Sequence, residues 1–124
     1  MYEISVERVF SAAHAIMLRG EREPVHGHDW SVTVVLAGET LDADGLVCDF
    51  HAVERALDEI IAPFRNADLN ATPPFDEVNP SAENVARVIA DALADRLGDT
   101  ATVSRVLVTE APGCTATYRR SVTA

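Results

Sequence analysis

The stretch His26-Gly27-His28-Asp29-Trp30-Ser31-Val32-Thr33-Val34-Val35-Leu36-Ala37 carries two signals at once. Trp30, Val32, Val34 and Leu36 recur at spacing two, the period of a strand with one buried face, and predict a strand over residues 30–37. His26 and His28 lie just before it. In extended backbone, residues i and i+2 point to the same side, so the two imidazoles can converge while Gly27 lets another group approach closely. Towards the N-terminus, Tyr2, Ile4 and Val6 repeat the spacing of two and predict a strand over residues 2–10. The intervening residues 11–28 are long for a hairpin loop and hold Gly20, Pro24, Gly27 and several charges. Connections of that length are often functional.

Towards the C-terminus, a turn through Leu41-Asp42-Ala43-Asp44-Gly45 leads to Leu46-Val47-Cys48, after which the period becomes helical. Val53, Leu57, Ile60, Ile61 and Phe64 fall at spacings of three and four; Asp49 is available as a cap, and the helix should end near Pro63. Residues 65–79, with Asn66, Asn70, Pro73 and Pro74, should be irregular. Asn79-Pro80 reads as the next helix start, Asn as N-cap and Pro at the first helical position. Val85, Val88, Ile89, Ala92, Leu93 and Leu97 supply the buried stripe and Gly98 the stop. Strands over 102–110 and 114–120, joined through Ala111, Pro112 and Gly113, complete the order β-β-α-α-β-β. This predicts an α+β fold, a four-stranded antiparallel sheet with two helices on one face. Such a sheet leaves two edges, for which association with other copies is the natural partner.

With 124 residues, 48% of them hydrophobic, the chain has the size of a single domain over 1–124. Twenty acidic residues oppose ten basic ones, all arginine, for a net charge of −10. That balance argues against nucleic acid or an anionic membrane as partner. No stretch approaches the roughly 20 apolar residues of a membrane span, and MYEISVERVF is no signal-peptide core, so a cytoplasmic protein is expected. Cys48 and Cys114 sit in dissimilar settings and suggest no disulfide framework.

The densest set of possible ligands is His14 with His26 and His28. A hairpin would return His14 towards the second strand, and three imidazoles with an open fourth position suit a catalytic zinc ion. The competing reading is three loop histidines without a ligand. Glu110 shares the parity of Val106 and Val108, so its carboxylate can point to the apolar side and accept two hydrogen bonds from a guanidine-like edge, such as the amino-pyrimidinone of a pterin or guanine. The competing reading is a solvated strand end. Glu23, three residues before His26, is a candidate general base or one more charge of an acidic loop. Arg19, Arg22 and Arg65 are candidates to meet phosphate.

These residues resemble the family of 6-pyruvoyl-tetrahydropterin synthase and 6-carboxy-tetrahydropterin synthase. The matching pieces are Phe10-Ser11-Ala12-Ala13-His14, His26-Gly27-His28, Gly45 to Phe50, Asp68-Leu69-Asn70, Asn79 to Asn84, and Thr109-Glu110 with Tyr118, in family order over nearly the whole chain. The resemblance implies a tunnelling fold, in which three subunits form a twelve-stranded barrel and two trimers stack into a homohexamer with active sites at subunit interfaces. It implies that His14, His26 and His28 are zinc ligands, that Glu110 anchors the pterin ring, and that Ser81 and Glu83 lie in a segment contributing to the pterin pocket from a neighbouring subunit.

In the family, dihydroneopterin triphosphate is processed by a base, commonly a cysteine four residues before H-G-H, with an aspartate-histidine pair before L-N. Here those positions hold Arg22, Arg65 and Asn66. An arginine cannot take a proton near neutral pH, nor can asparagine relay one as imidazole does. The first expectation is therefore a homologue that keeps the pterin pocket without the ordinary synthase reaction. The alternative is an active zinc-dependent lyase with Glu23 as base, because some family members resemble this chain in carrying E-x-x-H-G-H and are associated with cleavage to a hydroxymethyl-dihydropterin.

Overall fold

In the computed structural model, which describes residues 1–121, two helices cover one face of a mainly antiparallel sheet. The elements run β1 (Tyr2–His14), β2 (Met17–Leu18), β3 (Glu21–Arg22), β4 (His26–Gly38), α1 (Phe50–Ile61), β5 (Ala67–Asp68), α2 (Ala82–Leu97), β6 (Thr102–Ala111) and β7 (Cys114–Arg119). The sheet order is β5-β1-β4-β6-β7, and the four long strands pair antiparallel in the expected β-β-α-α-β-β order. The α+β expectation holds, with one addition: β5 pairs parallel to β1 at Ala12 and Ala13, making a fifth strand of two residues.

Parity decides the core. On β1 and β4 the even-numbered residues face the helices: Val6, Phe10, Trp30, Val32, Val34 and Leu36 are buried, as are Val106 and Val108 on β6. Helix α2 lies over β6 and β7, while α1 packs beside it and against β1. Val53, Leu57, Ile60 and Ile61 come from α1 and Val85, Ile89, Leu93 and Leu97 from α2, as the three-and-four spacing predicts. Phe10 stacks on Trp30 with ring centroids 6.2 Å apart, and the Trp30 indole N–H donates to Ala12 O, which satisfies its one polar atom inside the core.

Helix boundaries follow local chemistry. Asp49 caps α1 by accepting from the His51 amide, and a single 3-10 turn over Ala62–Phe64 ends it at Pro63. Gly98 stops α2 at φ +52, a backbone region that favours glycine. The expected N-cap is displaced by two residues: Ser81, not Asn79, caps α2 by accepting from the Asn84 amide. Asn79 is occupied elsewhere, its side chain holding the backbone of Met17.

The largest departure concerns residues 11–28. Both strands run further than their apolar alternation, to His14 and from His26, and the segment between them contains the small β2–β3 hairpin. Pairing continues through Ala12↔His28, Ala13↔Gly27 and His14↔His26, so the polar residues are registered by the ladder. No helix among the described residues is long and apolar enough to cross a membrane.

Candidate metal centre

The even-numbered row that buries Phe10 and Trp30 ends in histidines. Continuing it along β1 gives Ala12 and His14, and along β4 gives His28 and His26, so the ladder places all three imidazoles at one end of the helix-covered face. Their ring centroids are 4.7 to 5.2 Å apart. Glu110 arrives from β6 with the parity of Val106 and Val108. One donor atom from each of His14, His26, His28 and Glu110 lies within 4.8 Å of all the others. His14 is fully buried; the other three are partly exposed.

Hydrogen bonds on the far side of two rings decide what this cluster can hold. His14 Nδ1 lies 2.8 Å from Pro80 O, and His26 Nδ1 lies 2.9 Å from Pro24 O. A carbonyl only accepts, so both Nδ1 atoms carry the proton, and each neutral ring then presents a bare lone pair at Nε2. Those two Nε2 atoms are 3.1 Å apart. Two lone pairs at that distance repel unless a cation lies between them.

His28 brings a third ring nitrogen to the same place. Its Nε2 is buried without a hydrogen-bond partner: Glu110 Oε1 is 3.1 Å away, within ion-pair distance, but the angles are not those of a hydrogen bond. Tetrahedral zinc with Zn–N of ~2.0–2.1 Å separates its ligands by roughly 3.3–3.4 Å, close to the 3.1 Å between the His14 and His26 nitrogens. Carbonyls that fix the tautomers of ligating imidazoles are the usual outer support of such sites. The donor set therefore fits a zinc-type ion, with His14, His26 and His28 as the residues that would hold it.

Glu23 belongs to the same place. Its amide donates to Ile16 O at 3.0 Å, and Ile16 N donates back to Glu23 Oε1 at 3.0 Å, a reciprocal pair that closes the base of the β2–β3 hairpin. The same Oε1 is 3.7 Å from His26 Nε2. Beyond Glu23, a surface groove is formed by Leu18, Arg19, Glu21, Arg22 and Pro24, with both arginines exposed.

Glu110 and Glu83 line a second groove together with Ala82, Cys114, Thr115, Ala116 and Thr117. These two carboxylates thus share a wall of one groove within the chain. Ser81 is used differently, its hydroxyl capping α2. Arg65 and Asn66 do not join the cluster. The Arg65 guanidinium donates to Val9 O and lies 4.0 Å from Asp58, and Asn66, at φ +56, adopts the left-handed turn conformation that asparagine tolerates.

Sequence reasoning missed the residues that hold the segment around the cluster. Asn70 accepts from Ala15 N at 2.8 Å and donates to Ala15 O at 2.7 Å; Asn79 does the same for Met17 at 2.8 and 3.2 Å. Each side-chain amide replaces a strand partner for the chain leaving β1.

Comparison with known proteins agrees with this architecture. Residues 3–121 match the family model described as 6-pyruvoyl tetrahydropterin synthase. A dihydroneopterin monophosphate aldolase of Pyrococcus furiosus is 33% identical over 88 residues, covering 71% of each chain. A 6-carboxy-5,6,7,8-tetrahydropterin synthase of Bacillus subtilis is 29% identical over 127 residues, covering 95% of this chain and 85% of that one. Among solved structures, the Caenorhabditis elegans 6-pyruvoyl tetrahydropterin synthase superposes with a TM-score of 0.83 at 23% identity, covering 98% of both chains. A Plasmodium vivax 6-pyruvoyltetrahydropterin synthase, solved with a catalytic glutamate replaced by alanine, gives 0.80 at 22% identity, again over 98% of both. A family match spanning nearly the whole sequence, on a fold that ends its core in three converging histidines, places the chain in the 6-pyruvoyl tetrahydropterin synthase family.

Proposed function

We propose that the protein is a metal-dependent lyase that shortens the side chain of a 7,8-dihydroneopterin phosphate, with Glu23 as the base and Glu110 holding the pterin ring. The observation that carries this reading is the placement of Glu23, fixed by the Ile16 amide and 3.7 Å from His26 Nε2. It favours the second of the two readings drawn from the sequence, because a base is positioned although Arg22, Arg65 and Asn66 occupy the family's usual catalytic positions. The aldolase name of one relative and the catalytic glutamate of the Plasmodium vivax enzyme support the same choice.

His14, His26 and His28 would hold the zinc ion, which would supply a Lewis acid that makes a side-chain hydroxyl easier to deprotonate. Glu23 takes the proton of the 2′-hydroxyl. The C1′–C2′ bond then breaks, its electron pair moving into the pterin C6=N5 double bond, and C2′ leaves as the aldehyde carbon of glycolaldehyde phosphate. Return of the proton to C1′ gives 6-hydroxymethyl-7,8-dihydropterin. Glu110 accepts from the amino-pyrimidinone edge, Glu83 flanks the same groove and Ser81, by capping α2, holds the start of the helix that carries Glu83, while Arg19 and Arg22 offset the phosphate charge in a chain of net −10. The open edge of β7 and the exposed apolar residues Val9, Met17, Leu18 and Val25 support assembly with further copies, read as trimers and a homohexamer.

The test is incubation of zinc-loaded protein with the mono- and triphosphates of 7,8-dihydroneopterin, following 6-hydroxymethyl-dihydropterin. Glu23→Gln should slow its formation by roughly 10²–10⁴-fold. No product from either substrate, with pterin binding that saturates and is lost in Glu110→Ala, returns the protein to a pterin binder without this reaction.

A further inference from the structure

We propose that Glu110 is a movable fourth ligand of the metal centre, closing it before substrate arrives and leaving it to take the guanidine-like edge of the pterin. This rests on the metal-centre reading above.

Glu110 Oε1 lies 3.2 Å from His14 Nε2 and 3.1 Å from His28 Nε2. The Pro80 carbonyl keeps the His14 proton on Nδ1, so with His14 neutral the carboxylate oxygen faces a lone pair; at His28 the angles exclude a hydrogen bond. A lone pair faced at His14 and a contact without hydrogen-bond geometry at His28 leave this oxygen unsatisfied at both nitrogens. The two distances are the spacings expected of a fourth donor on a shared tetrahedral ion, whose ligand–ligand edges are roughly 3.3–3.4 Å.

The same side chain also lines the groove with Glu83, Thr115 and Thr117, and is 28% exposed. It therefore stands between two sites and can serve either. The backbone supports this placement: the β6–β7 register shifts between Thr109 and Ala111, so Glu110 is the residue left out of the ladder. An irregularity of this kind re-aims a side chain and frees its backbone from strand pairing. When the carboxylate turns to the pterin edge, the metal gains the open position that a catalytic site requires, at the moment the substrate fills the groove. Metal and pterin then compete for one carboxylate, and by linkage each weakens the other by the same factor.

The test uses 6-methylpterin, which carries the amino-pyrimidinone edge but no side-chain hydroxyl. Zinc affinity is measured by chelator competition for wild type and Glu110→Gln, and the visible spectrum of the cobalt-loaded proteins is recorded with and without 6-methylpterin. Glu110→Gln should lose at least about tenfold in zinc affinity, and 6-methylpterin should move the wild-type cobalt spectrum towards that of the variant. Wild type without metal should bind 6-methylpterin more tightly than zinc-loaded wild type, a comparison that needs no variant to fold. Equal zinc affinity and equal cobalt spectra for wild type and Glu110→Gln, with zinc binding still lost in His14→Gln, would overturn the movable ligand and leave the metal centre standing. Failure of wild type to bind zinc or cobalt overturns both.

Discussion

His14, the last residue of β1, donates from Nδ1 to the carbonyl of Pro80 at 2.8 Å, joining the sheet to the entry of α2 across 66 residues of sequence. The bond fixes the ring's tautomer and turns Nε2 towards His26, so the fold itself prepares the lone pairs of the candidate metal centre. One equivalent of zinc or cobalt per chain is expected. Trp30, the single tryptophan, lies 4.8 Å from the His14 ring between centroids, so cobalt should quench its fluorescence with the same stoichiometry. Saturating zinc at about 100 times its Kd should stabilise the fold by about 2.7 kcal/mol, seen as a rise in Tm that a chelator reverses. His14→Gln should abolish both the quenching and the rise; their persistence would refute this ligand set.

Two asparagines carry unequal loads. Asn70 satisfies both backbone groups of Ala15, which is fully buried, whereas Asn79 satisfies those of Met17, which is exposed. In Asn70→Ala the buried amide and carbonyl lose their partners, at about 1–3 kcal/mol each. In Asn79→Ala water can replace the side chain, so stability should fall by no more than about 1 kcal/mol. The Asn79 variant should instead lose turnover while keeping its zinc, because Met17 opens the hairpin that ends at Glu23. Urea denaturation and metal analysis check the pair, and equal losses of stability would contradict the assignment.

The contrast between Trp30 and Asn79 shows what the sequence made legible. The spacing-two run from Trp30 to Leu36 belongs to a strand because apolar parity reports burial directly, and the same parity placed Glu110 and paired His26 with His28. The extensions of β1 to His14 and β4 from His26 stayed hidden, since a strand that ends in a polar site loses apolar alternation where the function lies. The roles of Asn70 and Asn79 were equally hidden. Asn79-Pro80 is a strong local helix start, and it yielded to Ser81 because the asparagine gains two backbone bonds 62 residues away. Long-range side-chain bonds leave no periodic trace. The likeness to the family gave the three histidines and Glu110 their expected roles, whereas the Glu23–Ile16 clamp required coordinates.

The two thiols should separate by reactivity. Burial pushes the Cys48 thiol above its ordinary pKa, and the neighbouring Asp49 adds to the effect, whereas Cys114 is exposed at the start of β7. Because the thiolate is the reacting form, native protein near pH 8 should show one fast thiol, lost in Cys114→Ser, and one that reacts only on unfolding. Two fast thiols in folded protein would contradict the burial of Cys48.

Acid sensitivity should trace in part to Arg8. Its Nε donates to Asp58 at 2.8 Å and an Nη to Glu54 at 2.7 Å, so one guanidinium on β1 grips two carboxylates a helical turn apart on α1. The hydrogen bond from Arg8, with its charge and that of His51 as lesser causes, holds the Glu54 carboxyl below its ordinary value of 4.5. With the folded value depressed, the unfolded chain takes up its proton first as pH falls, so this contribution is complete well above pH 4.5 and is lost as pH drops through the folded value. Arg8→Met should therefore lower Tm at neutral pH, and the gap to wild type should narrow as pH falls to about 3. All of these groups are partly exposed, so the gap at neutral pH should also shrink in high salt. Melting curves across that range decide the matter. A gap of constant size would mean that Arg8 contributes through packing of its aliphatic stem against α1 rather than through its charge.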